Sequence, residues 1–153
     1  MEAMREMLAA AAARKLPMVV ANPDIVTVSG GDLVPMPGTL ARWYAELGGT
    51  VLLMGKPAAV IYERVMEMTG VGPEQAIAVG DSMEHDIAGA AGAGCASVFV
   101  CGGIHAEELG MPALPAGEVG DGSGVAAPAP EAFNRLAAAH GAFPEYAVPV
   151  FRW

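Results

Sequence analysis

"VGDSMEHDIAGAAGAG", residues 79 to 94, ends an apolar run at a carboxylate, sets a second carboxylate five positions on, and continues into small helix-compatible residues. Gly80 permits a tight turn, Ser82 suits an N-cap, and Asp86 falls in the first turn of the helix that follows. Upstream, "QAIAVG" reads as a strand, and downstream "CASVFVC" reads as the next one. The stretch is therefore the strand-to-helix turn of an α/β unit. In open parallel α/β sheets, ligands bind beyond the carboxyl ends of the strands, where helix N-termini point free N–H groups. Asp81 stands at such an end.

The same alternation extends in both directions. Residues 2 to 14 read as a helix on alanine propensity, and "PMVVAN" reads as a short strand stopped by Pro23. After an extended stretch with a "SGGD" turn, Pro37 and Gly38 introduce the helix "TLARWYAEL", closed by Gly48 and Gly49. The strand "TVLLM" follows. Gly55, Lys56 and Pro57 lead into "AAVIYERVMEMTG", where Val60, Ile61, Val65 and Met68 recur at helical spacing, with Pro57 suited to the first turn. Met66 and Met68 read as core filler. Strands that are apolar on both faces and alternate with helices imply a parallel sheet covered on both sides, a Rossmann-like α/β fold. From about Gly110 to Pro130 the chain turns rich in glycine, proline and alanine, as a surface connection does. "APEAFNRLAAAHG" offers one more helix, and the aromatic tail "FPEYAVPVFRW" is expected to dock on the body.

Composition narrows the function. A chain of 153 residues suits one ordinary domain, and 54% hydrophobic with 16% charged residues describes a globular one. The formal net charge of −9 repels phosphate backbones and anionic membrane surfaces, which argues against nucleic acid as a partner. No apolar stretch approaches the roughly 18 to 20 residues that span a bilayer. The N-terminal "MEAMREMLAAAAARKLP" carries Glu2 and Glu6 and lacks a strongly apolar centre, so it resembles no signal or transit peptide, and a cytoplasmic location without membrane association is expected. Cys95 and Cys101 sit at the two ends of one strand, roughly 20 Å apart at about 3.3 Å per residue, beyond disulfide reach. Both read as reduced structural thiols. His85, His105 and His140 form no ligand cluster with them in the sequence, so zinc is not supported. His105 reads as part of a loop at the site rim, and Glu107 and Glu108 as a solvated helix start.

Two carboxylates held together raise each other's pKa unless a cation joins them, and oxygen ligands favour a hard ion such as magnesium. The competing reading is ordinary helix chemistry, since Asp is favoured near any helix N-terminus. Lys56 adds to the first reading. A cation at a helix start opposes the helix dipole, so a lysine between Gly55 and Pro57 calls for an anion nearby, either a phosphate or a carboxylate.

"GKP" at 55 to 57 and "GDSMEHDIAGAAGAG" at 80 to 94 resemble the third and fourth motifs of the haloacid dehalogenase (HAD) superfamily. "ANPD" at 21 to 24 and "GGIHAEEL" at 102 to 109 narrow the likeness to its subfamily IIA, the nagD-type and nitrophenylphosphatase-like group, and the closing "FRW" fits a branch of it. By that resemblance Asp81 binds Mg2+ directly, and Asp86 binds it or holds its water shell. Lys56 pairs with a nucleophilic aspartate and neutralises the transferring phosphoryl group of a small-molecule phosphate ester. Asn22 and Asp24 lie where a mobile cap rejoins the core and touch the leaving group. The implied division is a cap remnant at 1–24, a HAD-like core at 25–109, and a connection, helix and docked tail at 110–153.

The family's "DxDG" nucleophile motif and its second-motif Ser or Thr have no counterpart here. "VVANPD" offers an amide, Asn22, where the nucleophile would stand, and "GDG" at 120 to 122 follows no strand. The expectation is a C-terminal half whose partial core lacks the nucleophile strand and is inactive by itself. Its "AIAVG" strand would present an unpaired apolar edge, inviting self-association. The alternative is a catalytically inactive HAD-like interaction module. A phosphoacceptor receiver domain, whose acidic pair precedes its lysine, has the reverse order of this chain.

Overall fold

The computed structural model describes residues 2–29, 32–111 and 126–151, and its contacts gather into two compact units, residues 1–61 and 62–153. In the first, helix α1 (Glu2–Ala13) precedes strand β1 (Met18–Val20), and a hairpin of β2 (Val26–Ser29) and β3 (Asp32–Pro35) leads into α2 (Pro37–Glu46) and β4 (Val51–Leu53). Strands β1 and β4 pair in parallel, Val20 opposite Leu53, as the helix between them requires. The hairpin is antiparallel, so the "extended stretch" of the sequence folds back on itself. Pro37 occupies the first turn of α2, and Gly48 closes that helix at φ +78°, a conformation that favours glycine. Tyr44 is almost wholly buried and its hydroxyl donates to the Leu16 carbonyl, while Arg5 of α1 lies 4.4 Å over the Trp43 ring.

Helix α3 (Ala59–Thr69) crosses from the first unit into the second. Two expectations are corrected here. The helix begins at Ala59, after a turn in which the Lys56–Pro57 bond is cis, so Pro57 lies outside its first turn. The face carrying Ile61, Val65 and Met68 buries none of them, and Met68 is 84% exposed. Apolar spacing names a face without naming what covers it.

The second unit continues with a single 3-10 turn (Pro73–Gln75), β5 (Ile77–Gly80), α4 (Ala88–Ala93), β6 (Ala96–Val100), α5 (Pro130–His140) and β7 (Tyr146–Val148). Its sheet is parallel in the order β5-β6-β7, with Val79 opposite Val98 and Phe99 opposite Ala147. The tail docks as expected, in the form of a third strand, although Arg152 and Trp153 lie outside the described residues. Most of the glycine- and proline-rich connection, including "GDG", lies outside them too. Met83, Ile87, Phe99, Cys101, Leu109 and Leu136 form one buried cluster beneath the strand ends. Phe99 packs edge-on against Phe133 of α5 at 6.0 Å. Cys95 and Cys101 are free and buried, and burial pushes both thiols up.

Parallel strands joined through helices make this an α/β fold, with hydrogen bonding divided between the β1-β4 pair and the β5-β6-β7 sheet. Among the described residues, β5 pairs with β6 alone, leaving its other edge open. No helix is long and apolar enough among them to cross a membrane.

Candidate functional site

The chain leaves β5 at Gly80, passes Asp81, and winds through one π turn (Met83–Ile87) before settling into α4. The sequence predicts one regular helix here; in the structure its first turn takes the wider π form, with the Ile87 N–H reaching back to the Ser82 carbonyl at 3.1 Å. Ser82 caps it as expected, its Oγ accepting the His85 N–H at 3.0 Å. Asp86 is 5% exposed, and its Oδ2 accepts the backbone N–H groups of Asp81 at 3.1 Å and Ser82 at 3.0 Å. Tyr62 of α3 braces the far side, its hydroxyl 3.3 Å from the carbonyls of both His85 and Asp86. Burial first, then the charge of Asp86 and the Cys95 thiol, push the Tyr62 phenol up, so it remains a neutral donor.

Glycine makes this packing feasible by lacking a side chain. A Cβ on Gly80 would come within 2.2 Å of the Asp86 carboxyl carbon, and one on Gly89 within 2.4 Å of the Tyr62 hydroxyl. Asp81, half-buried, is met from the opposite side by the turn 101–110. The Ile104 N–H donates to Asp81 Oδ2 at 3.0 Å, and a Cβ on Gly103 would lie 2.1 Å from that same oxygen. The expected helix start at Glu107 and Glu108 is this turn instead, with Glu108 Oε1 paired to His105 Nδ1 at 2.7 Å.

The two carboxylates thus differ in circumstance. Asp86 is turned inward and organises the backbone of the turn; Asp81 stands at the strand end with one oxygen oriented by an amide. All the side-chain donors offered by the pair are oxygens. Among the described residues, no group of three or more His, Cys, Asp or Glu side chains could enclose a metal ion. Any ion held here would meet carboxylate oxygen from Asp81 at the strand end, with Asp86 Oδ2 already engaged by the Asp81 and Ser82 amides.

Lys56, Asn22 and Asp24 belong to the first unit, at the carboxyl ends of the adjacent strands β4 and β1. Asn22 Oδ1 accepts the Asp24 N–H at 2.9 Å, an Asx turn that fixes the "ANPD" loop. Gly55 presses against that loop: a Cβ there would lie 2.1 Å from the Ala21 carbonyl oxygen. "GKP" and "ANPD" are thus brought to one strand-end surface, with Lys56 exposed on it. Gly103 and Ile104 fall within the quoted "GGIHAEEL", but their contacts with Asp81, like that of Tyr62 with the acidic turn, escape the sequence reading, because the partners lie about 20 or more residues away. The one available signal was the glycine pair before His105.

The HAD-hydrolase-like family model matches residues 53–121. A haloacid dehalogenase-like hydrolase from Brucella suis 1330 is 38% identical, with 71% of this chain and 42% of that one covered and a TM-score of 0.55. Residues 53–121 of this chain are thus haloacid dehalogenase-like, in agreement with the motifs at 55–57 and 80–94. The HAD-like fold extends nearly end to end against a p-nitrophenyl phosphatase from Archaeoglobus fulgidus, covering 98% of this chain and 49% of that one at 22% identity and a TM-score of 0.68. A glycerol phosphate phosphatase from Mycobacterium tuberculosis, solved in complex with magnesium, is 26% identical over 63% of this chain and 29% of that one, with a TM-score of 0.55. The HAD-like chain therefore spans less than half the length of each of these structures. No curated protein sequence matches it.

Proposed function

We propose that this chain carries the metal-binding part of a magnesium-dependent phosphohydrolase of HAD subfamily IIA, acting on a small phosphorylated metabolite in the cytoplasm. The acidic turn after β5 carries the reading. A buried Asp86 spends an oxygen on the amides of Asp81 and Ser82, which holds Asp81 at the strand end for a ligand. Evolution of such a turn for helix capping alone would need neither the second carboxylate nor the Ile104 amide aimed at the first.

In this reading Asp81 binds the ion, and Asp86 holds either the ion's water shell or, through its amide bonds, the geometry of Asp81. Bound magnesium would shield the charge of the transferring phosphoryl oxygens. Lys56 supplies a compact positive charge for a phosphoryl oxygen or for a nucleophilic carboxylate. Asn22, through its Asx turn, orients Asp24 toward the leaving group. The 153 residues contain no "DxDG" segment, and in this reading the phosphoryl-accepting carboxylate is not one of the residues assigned above. The named activities of the Archaeoglobus and Mycobacterium phosphatases support a small phosphate ester as substrate class. Free, buried Cys95 and Cys101 support a reducing compartment.

The test is magnesium-dependent hydrolysis of an aryl phosphate by the chain alone and by the chain fused behind a "DxDG"-bearing segment of a HAD phosphatase. Activity in the fusion only, lost in Asp81→Asn, is expected. Activity in the short chain would move the nucleophile into these residues, and inactivity of both would remove the phosphohydrolase reading.

A further inference from the structure

His105 is a buried polar side chain that the proposed chemistry leaves without a task; it is 9% exposed. Its Nδ1 stands 2.7 Å from Glu108 Oε1, and its Nε2 stands 3.5 Å from the Met83 backbone nitrogen. An ionised carboxylate only accepts and a backbone N–H only donates, so these neighbours together require a proton on Nδ1 and none on Nε2. The ring is further fixed by packing. It lies edge-on to His140 of α5 with centroids 5.3 Å apart, and tilted against Phe99 of β6 at 6.1 Å.

Its position in the chain turns this anchorage into leverage on the acidic turn. Ile104, one residue earlier, donates its N–H to Asp81 Oδ2, and Gly103 lies against the same carboxylate. Two successive residues thus grip the turn at two points, one through the Asp81 side chain and one through the Met83 amide two residues on.

We propose that His105 is a positioning residue: by accepting the Met83 N–H while anchored on Glu108, it seats the 103–105 segment so that the Ile104 amide aims the Asp81 carboxylate. The inference rests on the reading of Asp81 as a metal-binding carboxylate. It extends that reading by giving the carboxylate's orientation a source outside its own loop.

The experiment uses the full chain, isotope-labelled, with His105→Gln and His105→Asn. A glutamine can place an acceptor oxygen near the Nε2 position, whereas an asparagine reaches only the Nδ1 position and leaves the Met83 N–H without an acceptor. Long-range proton–nitrogen NMR of the unsubstituted chain is expected to show the Nδ1–H tautomer. In His105→Asn the Ile104 amide resonance should move, its hydrogen exchange should quicken, and Mg2+ affinity by calorimetry should fall about tenfold, while His105→Gln stays within about twofold of the parent. An Nε2–H tautomer, or an Ile104 amide unmoved in His105→Asn, would overturn the proposal. If Asp81→Asn binds Mg2+ as the parent does, the metal reading fails, and the Ile104 response still decides the role of His105. Should His105→Asn fail to fold, the tautomer of the unsubstituted chain decides it.

Discussion

Gly80 shows how much a single absent methyl group can hold. Alanine at that position would put its Cβ 2.2 Å from the Asp86 carboxyl carbon, forcing the carboxylate off the Asp81 and Ser82 amides. Gly80→Ala should cost about 1 to 3 kcal/mol, read as a lower denaturation midpoint at unchanged slope. Gly92 is the internal control, because a Cβ there meets nothing within 4 Å and α4 is helical around it. Gly92→Ala should stabilise by about 0.4 to 1 kcal/mol; a loss comparable to that of Gly80→Ala would refute the packing argument. Removing the cap with Ser82→Ala should cost about 1 kcal/mol in the same measurement. At this scale the sequence was legible wherever the partner is local: Ser82 capping His85, and Asp86 entering the first turn. Ile104 on Asp81 was not, since no local rule joins residues 23 positions apart.

Strand β7 and its anchor were missed as elements for a related reason. Three residues of tail, "YAV", carry too short a pattern to declare a strand, and pairing along β6 supplies the backbone partners that make one. Glu145, next to β7, locks that docking: its Oε2 accepts the Ser97 N–H at 2.6 Å and the Ser97 hydroxyl at 3.0 Å. The Ser97 backbone bond above all, with help from its hydroxyl, holds the Glu145 carboxyl below its ordinary value of 4.5. A carboxylate favoured in the folded state stabilises above its unfolded pKa, and that stabilisation is lost as pH falls through the lower folded value. The melting temperature of Glu145→Gln should therefore lie below that of the parent at neutral pH, with the gap closing as pH falls below the ordinary carboxylate range. A gap independent of pH would assign the effect to packing. The helices were more legible than this strand, because ten or more residues of alanine-rich or periodic sequence average out local ambiguity. Helix α3 marks the limit: its period was right, and its apolar face is uncovered.

For the whole molecule, the edge of β5 that has no strand partner among the described residues is the feature with the largest consequence. Ile77 and Val79 are 50% and 39% exposed on it, and Leu52 and Leu53 of β4 are similarly exposed in the first unit. Unpaired apolar strand edges template association, and a net charge of −9 opposes it over distance but is screened within about 10 Å at 0.1 M salt. Sedimentation of the full chain should show concentration-dependent self-association that strengthens with salt and is relieved by Val79→Lys. A monomer at every concentration would show the edge to be protected. By itself the sequence determined the alternating α/β order, the strand ends at which Lys56 and Asp81 stand, and the capping of the acidic turn, since each depends on neighbours a few residues apart. Only the tertiary structure decided that Asp86 faces inward, that Gly103 and Ile104 meet Asp81, and that the tail becomes a strand. Those outcomes depend on which distant backbone groups arrive opposite one another, and pairing energies between distant segments leave no periodicity in the chain to read.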